Sequence, residues 1–268
     1  MRIGATLRGV LAASLLALAA CTDLSAVRDF SRLAAGTADY RGLVERYATY
    51  GDRLAFYRER PVEVGNRAEL REGLIALHTA LTGYMAALGD LADDATVSVS
   101  TAPLAEAAQK AGLFDAAMRP RVQALGDIVA RAVTARWRQH ELGRMIEAGN
   151  APVQDITARL IRFAEGLAAE DAEERQIAAF TYDLTIRRAS DPAGIRALRE
   201  WRMQRLAEID ARAAARDGFI AAMRRIGEGH QTLHDNRDRL SAEETLRQIR
   251  AVNSQLRTIG RLLRTAVL

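Results

Sequence analysis

Cysteine and lysine each occur once in the 268 residues, as Cys21 and Lys110, and proline only five times. One cysteine excludes a disulfide scaffold and a cysteine-built zinc site. With one lysine, 37 of the 38 basic side chains are arginines. Codon bias accounts for that, so arginine richness alone does not signal phosphate recognition. The apolar share, 49%, excludes a disordered charged tail and is enough for a sizeable core.

Assembled chemistry is also scarce. There is no Gly-x-Ser-x-Gly elbow and no phosphate-binding loop. The Glu-x-x-His pair that a di-iron four-helix bundle repeats does not occur. Gly227-Glu228-Gly229 opens like a dinucleotide loop, but no strand precedes it and Thr232 replaces the third glycine. It reads instead as a kink or break in a helix of more than 40 residues. His230 and His234, spaced i, i+4, are a weak metal candidate: no Glu follows the first, and His230 shares the apolar register of Phe219, Met223, Ile226 and Leu233. A structural histidine is the expectation, with no catalytic residue, metal or cofactor assigned.

What is present begins at the N-terminus. Arg2 and Arg8 precede an apolar run from Val10 that ends in small residues at Cys21, the grammar of a secretory signal. The run is too short for a stable transmembrane span. Leu18-Ala19-Ala20-Cys21 resembles the lipobox of bacterial prolipoproteins, a class of export signals that says nothing of the fold. The resemblance implies a diacylglycerol on the Cys21 sulfur, cleavage of the signal peptide 1–20, and further acylation, as with palmitate, of the new amino group. Two or three acyl chains hold a protein stably where one does not. The residue after the cysteine is Thr22 rather than Asp, which by the same resemblance leans toward the outer membrane, facing the periplasm. Only Thr22 and Asp23 separate the lipid from the first apolar helical positions, Leu24 and Val27, so the body is expected close to the bilayer.

The body reads as helix throughout. Tyr40, Leu43, Tyr47, Tyr50, Leu54 and Tyr57 alternate steps of three and four, as do Leu70, Leu74, Leu77, Leu81, Tyr84, Leu88 and Leu91. Pro103, Pro152 and Pro192 each follow a capping residue and mark helix starts, and Ser241-Ala242-Glu243-Glu244 is a capping box. Long helices are predicted near 24–59, 66–92, 119–148, 152–188, 193–238 and 242–266, with a short one near 103–111. The only β-branched stretch, Thr96 to Ser100, reads as an extended loop. The expected fold is all-α: an elongated antiparallel bundle of about six long helices with coiled-coil-like seams over 21–268, with a possible sub-boundary near 94–102.

Charge divides this body. Residues 22–186 hold 19 basic and 24 acidic groups, whereas 187–268 hold 17 and 10. Arg247, Arg250, Arg257, Arg261 and Arg264 flank the seam of the last helix, and Glu165, Glu170, Asp171, Glu173 and Glu174 cluster on the fourth long one. Solvated faces and inter-helix ion pairs are the plain account; contact of the arginine face with lipid head groups or an acidic protein surface is the sharper one. Nucleic acid is not an expected partner outside the cytoplasm. Tyr40, Tyr47, Tyr50 and Tyr57 make either an ordinary core edge or a groove for a partner helix or an elongated ligand. Trp137 and Trp201 read as packing anchors. The functional expectation is a membrane-anchored, non-enzymatic envelope lipoprotein that binds or scaffolds an envelope protein; the alternative is a carrier or sensor enclosing a small apolar ligand or a metal.

The lipobox carries a direct prediction. Wild-type protein should show acyl mass and float with outer membranes, and Cys21→Ala should lose both. Soluble, unmodified wild-type protein in intact-mass and fractionation measurements would remove the anchor from the picture.

Overall fold

The computed structural model describes residues 23–93, 95–134 and 138–265. Its helices are α1 (Ser25–Ala38), α2 (Gly42–Ala48), α3 (Tyr50–Arg58), α4 (Arg67–Ala92), α5 (Ala102–Phe114), α6 (Met118–Thr134), α7 (Arg138–Arg188), α8 (Pro192–Asp235) and α9 (Glu243–Thr265). A 3-10 turn, Arg237–Arg239, joins the last two. No strand occurs among the described residues, and the helices pack on one another as an all-α bundle.

The predicted seam of α4 forms the centre. Leu74, Leu77, Leu81, Met85 and Leu88 are fully buried, and the helix packs against α1, α5, α6 and α7. By length and composition α4 passes as a membrane span, but 67% of its apolar window is buried inside the bundle, which accounts for its hydropathy. Of its neighbours, α1 and α7 run antiparallel to it: Arg28 of α1 reaches Asp93 at its end, Tyr84 lies against Met145 of α7, and Arg67 pairs with Glu170. The α7–α8 hairpin is antiparallel too, with Arg175 on Asp210 and Arg202 on Asp183. Buried side chains from both sides of 94–102 join one apolar cluster, and Val97 of that loop is among them.

Three expectations about helix ends need correction. The segment 24–59 is three helices, not one, with turns at Asp39–Arg41 and at Thr49. Thr37 and Thr49 donate their hydroxyls to the carbonyls of Leu33 and Glu45, back-bonds that bend or end helices. The three-four spacing survives the turns because each short helix still buries its share: Val27, Leu43 and Leu54 are all on the inside.

Pro152 does not start a helix; it lies inside α7, which runs unbroken for 51 residues. The asparagine that should have capped it is otherwise engaged. Asn150 donates to Gln231 of α8 at 2.9 Å and receives Gln154 at 3.3 Å. Pro103 and Pro192 do sit at helix starts, the latter behind Asp191, whose carboxylate accepts the Gly194 N–H at 2.6 Å. At the last helix the first turn begins one residue later than a Ser241 cap requires, with the Leu246 N–H bonded to the Ala242 carbonyl. Glu244 pairs with Arg247 and Gln248 of its own helix.

Gly227-Glu228-Gly229 does not break α8 into two helices; the 44-residue helix passes through it. The glycines serve close approach. A Cβ on Gly229 would lie 2.3 Å from Cε2 of Phe30, a fully buried ring, and the Gly227 carbonyl accepts Gln154 Nε2 at 2.9 Å. Gly166, by contrast, is exposed on α7 with nothing within 4 Å of a Cβ.

This contrast predicts opposite signs for one substitution. Gly166→Ala should stabilise by up to about 1 kcal/mol through helix propensity. Gly229→Ala should destabilise by about 1–3 kcal/mol through overpacking, less that same gain. Denaturant midpoints of the two variants check it; a more stable Gly229→Ala would mean that Phe30 has room to move.

Candidate functional site

Two histidines are sealed in the core. His230 is fully buried, with Nδ1 3.0 Å from Asn150 Oδ1 and Nε2 2.7 Å from the Tyr84 hydroxyl. With the Nδ1 proton donated to the amide oxygen, Nε2 accepts from Tyr84, whose hydroxyl also lies 3.0 Å from the Met145 carbonyl. Gly149 makes room for that phenol, since a Cβ there would stand 2.2 Å from its oxygen. His234 faces Asp235 instead, so the i, i+4 pair does not converge on a common point. His78 is equally buried and has Nδ1 2.6 Å from the Ala38 carbonyl. Burial pushes both imidazoles down, His78 to about 4 and His230 to about 3. Among the described residues no group of three His, Cys, Asp or Glu is placed to hold a metal.

The acidic cluster of α7 is internal in part. Asp171 and Glu174 are buried. Asp171 takes Arg46 of α2 at 2.9 Å and Arg216 of α8. Glu174 takes Arg53 of α3 and Arg212 of α8, each at 2.8 Å. Glu170 holds Arg67 of α4 through two bonds of 2.9 and 3.0 Å, while Glu165 and Arg224 pair in solvent. Burial raises the Asp171 carboxyl above its ordinary value despite the arginines. Burial opposes ionisation of Glu174 as well, but the hydrogen bonds from Arg53 and Arg212 outweigh it and hold that carboxyl low.

The four tyrosines of the expected groove are divided among these contacts. Tyr47 stands edge-on to Phe163 and lies under the Arg67 guanidinium, which also covers the Tyr50 ring. The buried Tyr50 donates its hydroxyl to Glu173 at 2.6 Å, and the buried Tyr57 accepts from Arg205 at 2.6 Å. Tyr40 sits apart, on a 290 Å³ cavity with Thr37 and Arg264. The structure therefore brings Tyr47 and Tyr50 together and leaves Tyr40 and Tyr57 elsewhere.

The α9 arginines divide too. Arg247 pairs within its helix, and Arg250 and Arg257 reach Asp23 and Asp29 at 3.5 and 3.3 Å. Arg261 meets only the Thr258 hydroxyl at 3.4 Å, and Arg264 pairs with no carboxylate among the described residues. Leu18, Ala19, Ala20, Cys21 and Trp137 lie outside the described residues.

The feature that sequence reasoning missed is the far end of the α7–α8 hairpin. No residue between Ala178 and Leu206 is buried, so at 1.5 Å per residue the two helices continue roughly 15 Å beyond the last core contact. Trp201 is not a packing anchor: it is 56% exposed, and Phe180 at 62% and Met203 at 68% are also exposed on the arm. Phe56, 73% exposed, stands at the base of this arm with its ring against Tyr57. Arg187, Arg188, Arg196 and Arg199 are exposed on the arm and make no ion pair among the described residues. The available signal was that Phe180 and Met203 lie off any apolar seam.

No family model, curated protein or solved structure matches the chain. Its chemistry must be argued from these residues alone.

The buried imidazoles set a pH dependence. Unfolded, both titrate near 6.5; folded, they stay neutral until about pH 4 and 3. Between those limits the unfolded chain binds the extra protons, so stability falls as pH drops through 6.5. Each histidine contributes a slope of up to about 1.4 kcal/mol per pH unit. Urea titrations at pH 7, 6 and 5 should give that fall, and His230→Gln should remove about half of the slope. An unchanged slope in the variant would mean that His230 binds its proton as readily in the fold as in the unfolded chain.

Proposed function

We propose that the chain is a non-enzymatic binding or scaffolding module of the bacterial envelope, held by a lipid on Cys21 at the outer membrane and facing the periplasm. One observation supports the binding role: the arm between Ala178 and Leu206 exposes Phe180, Trp201 and Met203 and also carries four exposed arginines without carboxylate partners among the described residues. Aromatic residues, Met and Arg are the types enriched where proteins meet, and Trp and Arg dominate interface energetics. A helical hairpin with one open side fits a partner that supplies an apolar pocket rimmed by carboxylates. Rim charges of that kind steer encounter, and the pocket holds the aromatic anchors.

The burial of both core histidines supports a non-enzymatic reading, because no substrate reaches a ring with zero exposure. Both His230 nitrogens are already occupied, and this gives the metal-carrier alternative no support.

The arm generates its own test. In crosslinking of envelope-localised protein, adducts should form with wild type and disappear with Phe180→Ala, Trp201→Ala and Met203→Ala combined. Surface changes of this kind cost within about 0.5 kcal/mol each, so the melting temperature should hold nearly constant. Adducts that survive the triple variant would place the docking surface elsewhere.

A further inference from the structure

α1 and α9 lie side by side and run in the same direction. Their N-terminal halves are pinned together: Asn253 Nδ2 donates to the Ala26 carbonyl at 3.0 Å, and Arg257 reaches Asp29. Toward their C-terminal ends the two helices carry glycine where a side chain would close the gap. A Cβ on Gly36 would meet nothing within 4 Å, and one on Gly260 only Arg264 Nη1 at 3.5 Å and Thr37 Oγ1 at 3.8 Å. The opening left between them is a cleft of 560 Å³, continuous through Gly36, Thr37, Gly260 and Arg264 with the 290 Å³ cavity beside Tyr40.

Four guanidinium groups border this cleft: Arg32 from α1 and Arg257, Arg261 and Arg264 from α9. The single carboxylate in its wall, Asp39, is held by Arg41 at 3.0 Å. Arg32 and Arg257 are each paired, with Asp93 and Asp29, which fixes them in place, whereas Arg261 and Arg264 have no carboxylate among the described residues. Cations in the last turn of α9 are favoured by the helix dipole, by about 0.3–1 kcal/mol each. That accounts for Arg264 but not for Arg261, which lies before the last turn, nor for Arg32 arriving from another helix. Guanidinium groups present paired donors that match phosphate oxygens, and several around one cavity match a group with more than one negative charge.

We propose that the cleft between the C-terminal halves of α1 and α9 binds a phosphate-bearing ligand. This sharpens the reading of the α9 arginine face as an anion contact and is independent of the arm. The phosphate belongs either to a soluble phosphoester or to an anionic lipid headgroup, and two probes separate these sources.

The full-length chain, made in a membrane-free translation system so that no acyl group is added, is titrated with pyrophosphate in a calorimeter. It is also floated with phosphatidylglycerol and phosphatidylcholine vesicles. One site for pyrophosphate assigns a soluble ligand, and selective flotation with phosphatidylglycerol without pyrophosphate binding assigns a headgroup; either supports the proposal. In both cases Arg261→Gln with Arg264→Gln should weaken binding at least tenfold. Gly36→Leu, which fills the opening without changing charge, should do the same, and it adds a helix-favouring residue where space is free, so folding is retained. Arg247→Gln, on the same helix away from the cleft, should change binding less than twofold. Binding of neither probe overturns the proposal. So does equal weakening by Arg247→Gln, or undiminished binding by Gly36→Leu, since either outcome would reduce the effect to diffuse charge attraction.

Discussion

Asp171 and Glu174 stand three residues apart on α7, and between them they take guanidinium groups from α2, α3 and α8. Ions removed from water this far repay their desolvation only in good geometry, and a buried pair adds little net stability over a well-packed apolar substitute. What it adds here is position. Apolar helices can slide along one another by a turn and still bury leucine against leucine, but sliding α8 by a turn would pull Arg212 and Arg216 off their two buried carboxylates. Removing one partner of such a set typically costs about 3–5 kcal/mol, and this is the penalty that a shifted register meets. Arg67 on Glu170, one residue before Asp171 and one turn before Glu174, extends the same clamp to α4.

Two further devices fix the remaining contacts. At the other end of α7, the Tyr84, His230 and Asn150 chain links α4, α7 and α8 through side chains that leave no room for another arrangement around Gly149. Gly229 lets α8 meet Phe30 of α1 at a distance no other residue permits. The core is thus apolar in bulk but held in register by a few polar and glycine positions.

The helical periodicity was fully legible because burial enforces it: the α4 leucines and the α9 seam sit where their spacing placed them. Helix ends were less so. Asn150-Ala151-Pro152 has the local chemistry of a start, yet the amide that would cap is worth more across the bundle to Gln231 and His230, and tertiary contact overrode it. Likewise Gly227 and Gly229 resemble a break only until a facing ring is known. The acidic cluster on α7 was visible as a cluster, but its partners lie more than a hundred residues away in α2, α3 and α4, a separation no spacing rule spans. Arg32 joined the α9 arginines for the same reason, and the arm was missed because exposure of Trp201 depends on which helices are absent beside it.

The unbroken course of α7 has a mechanical meaning. From Asn150 to Arg188 it is a single strut of roughly 57 Å at 1.5 Å per residue, braced against α8 along its whole length. Antiparallel helices locked by cross-bonds resist bending far better than either alone. The arm is therefore a stiff extension of the bundle, with the buried charges of Asp171 and Glu174 near its base.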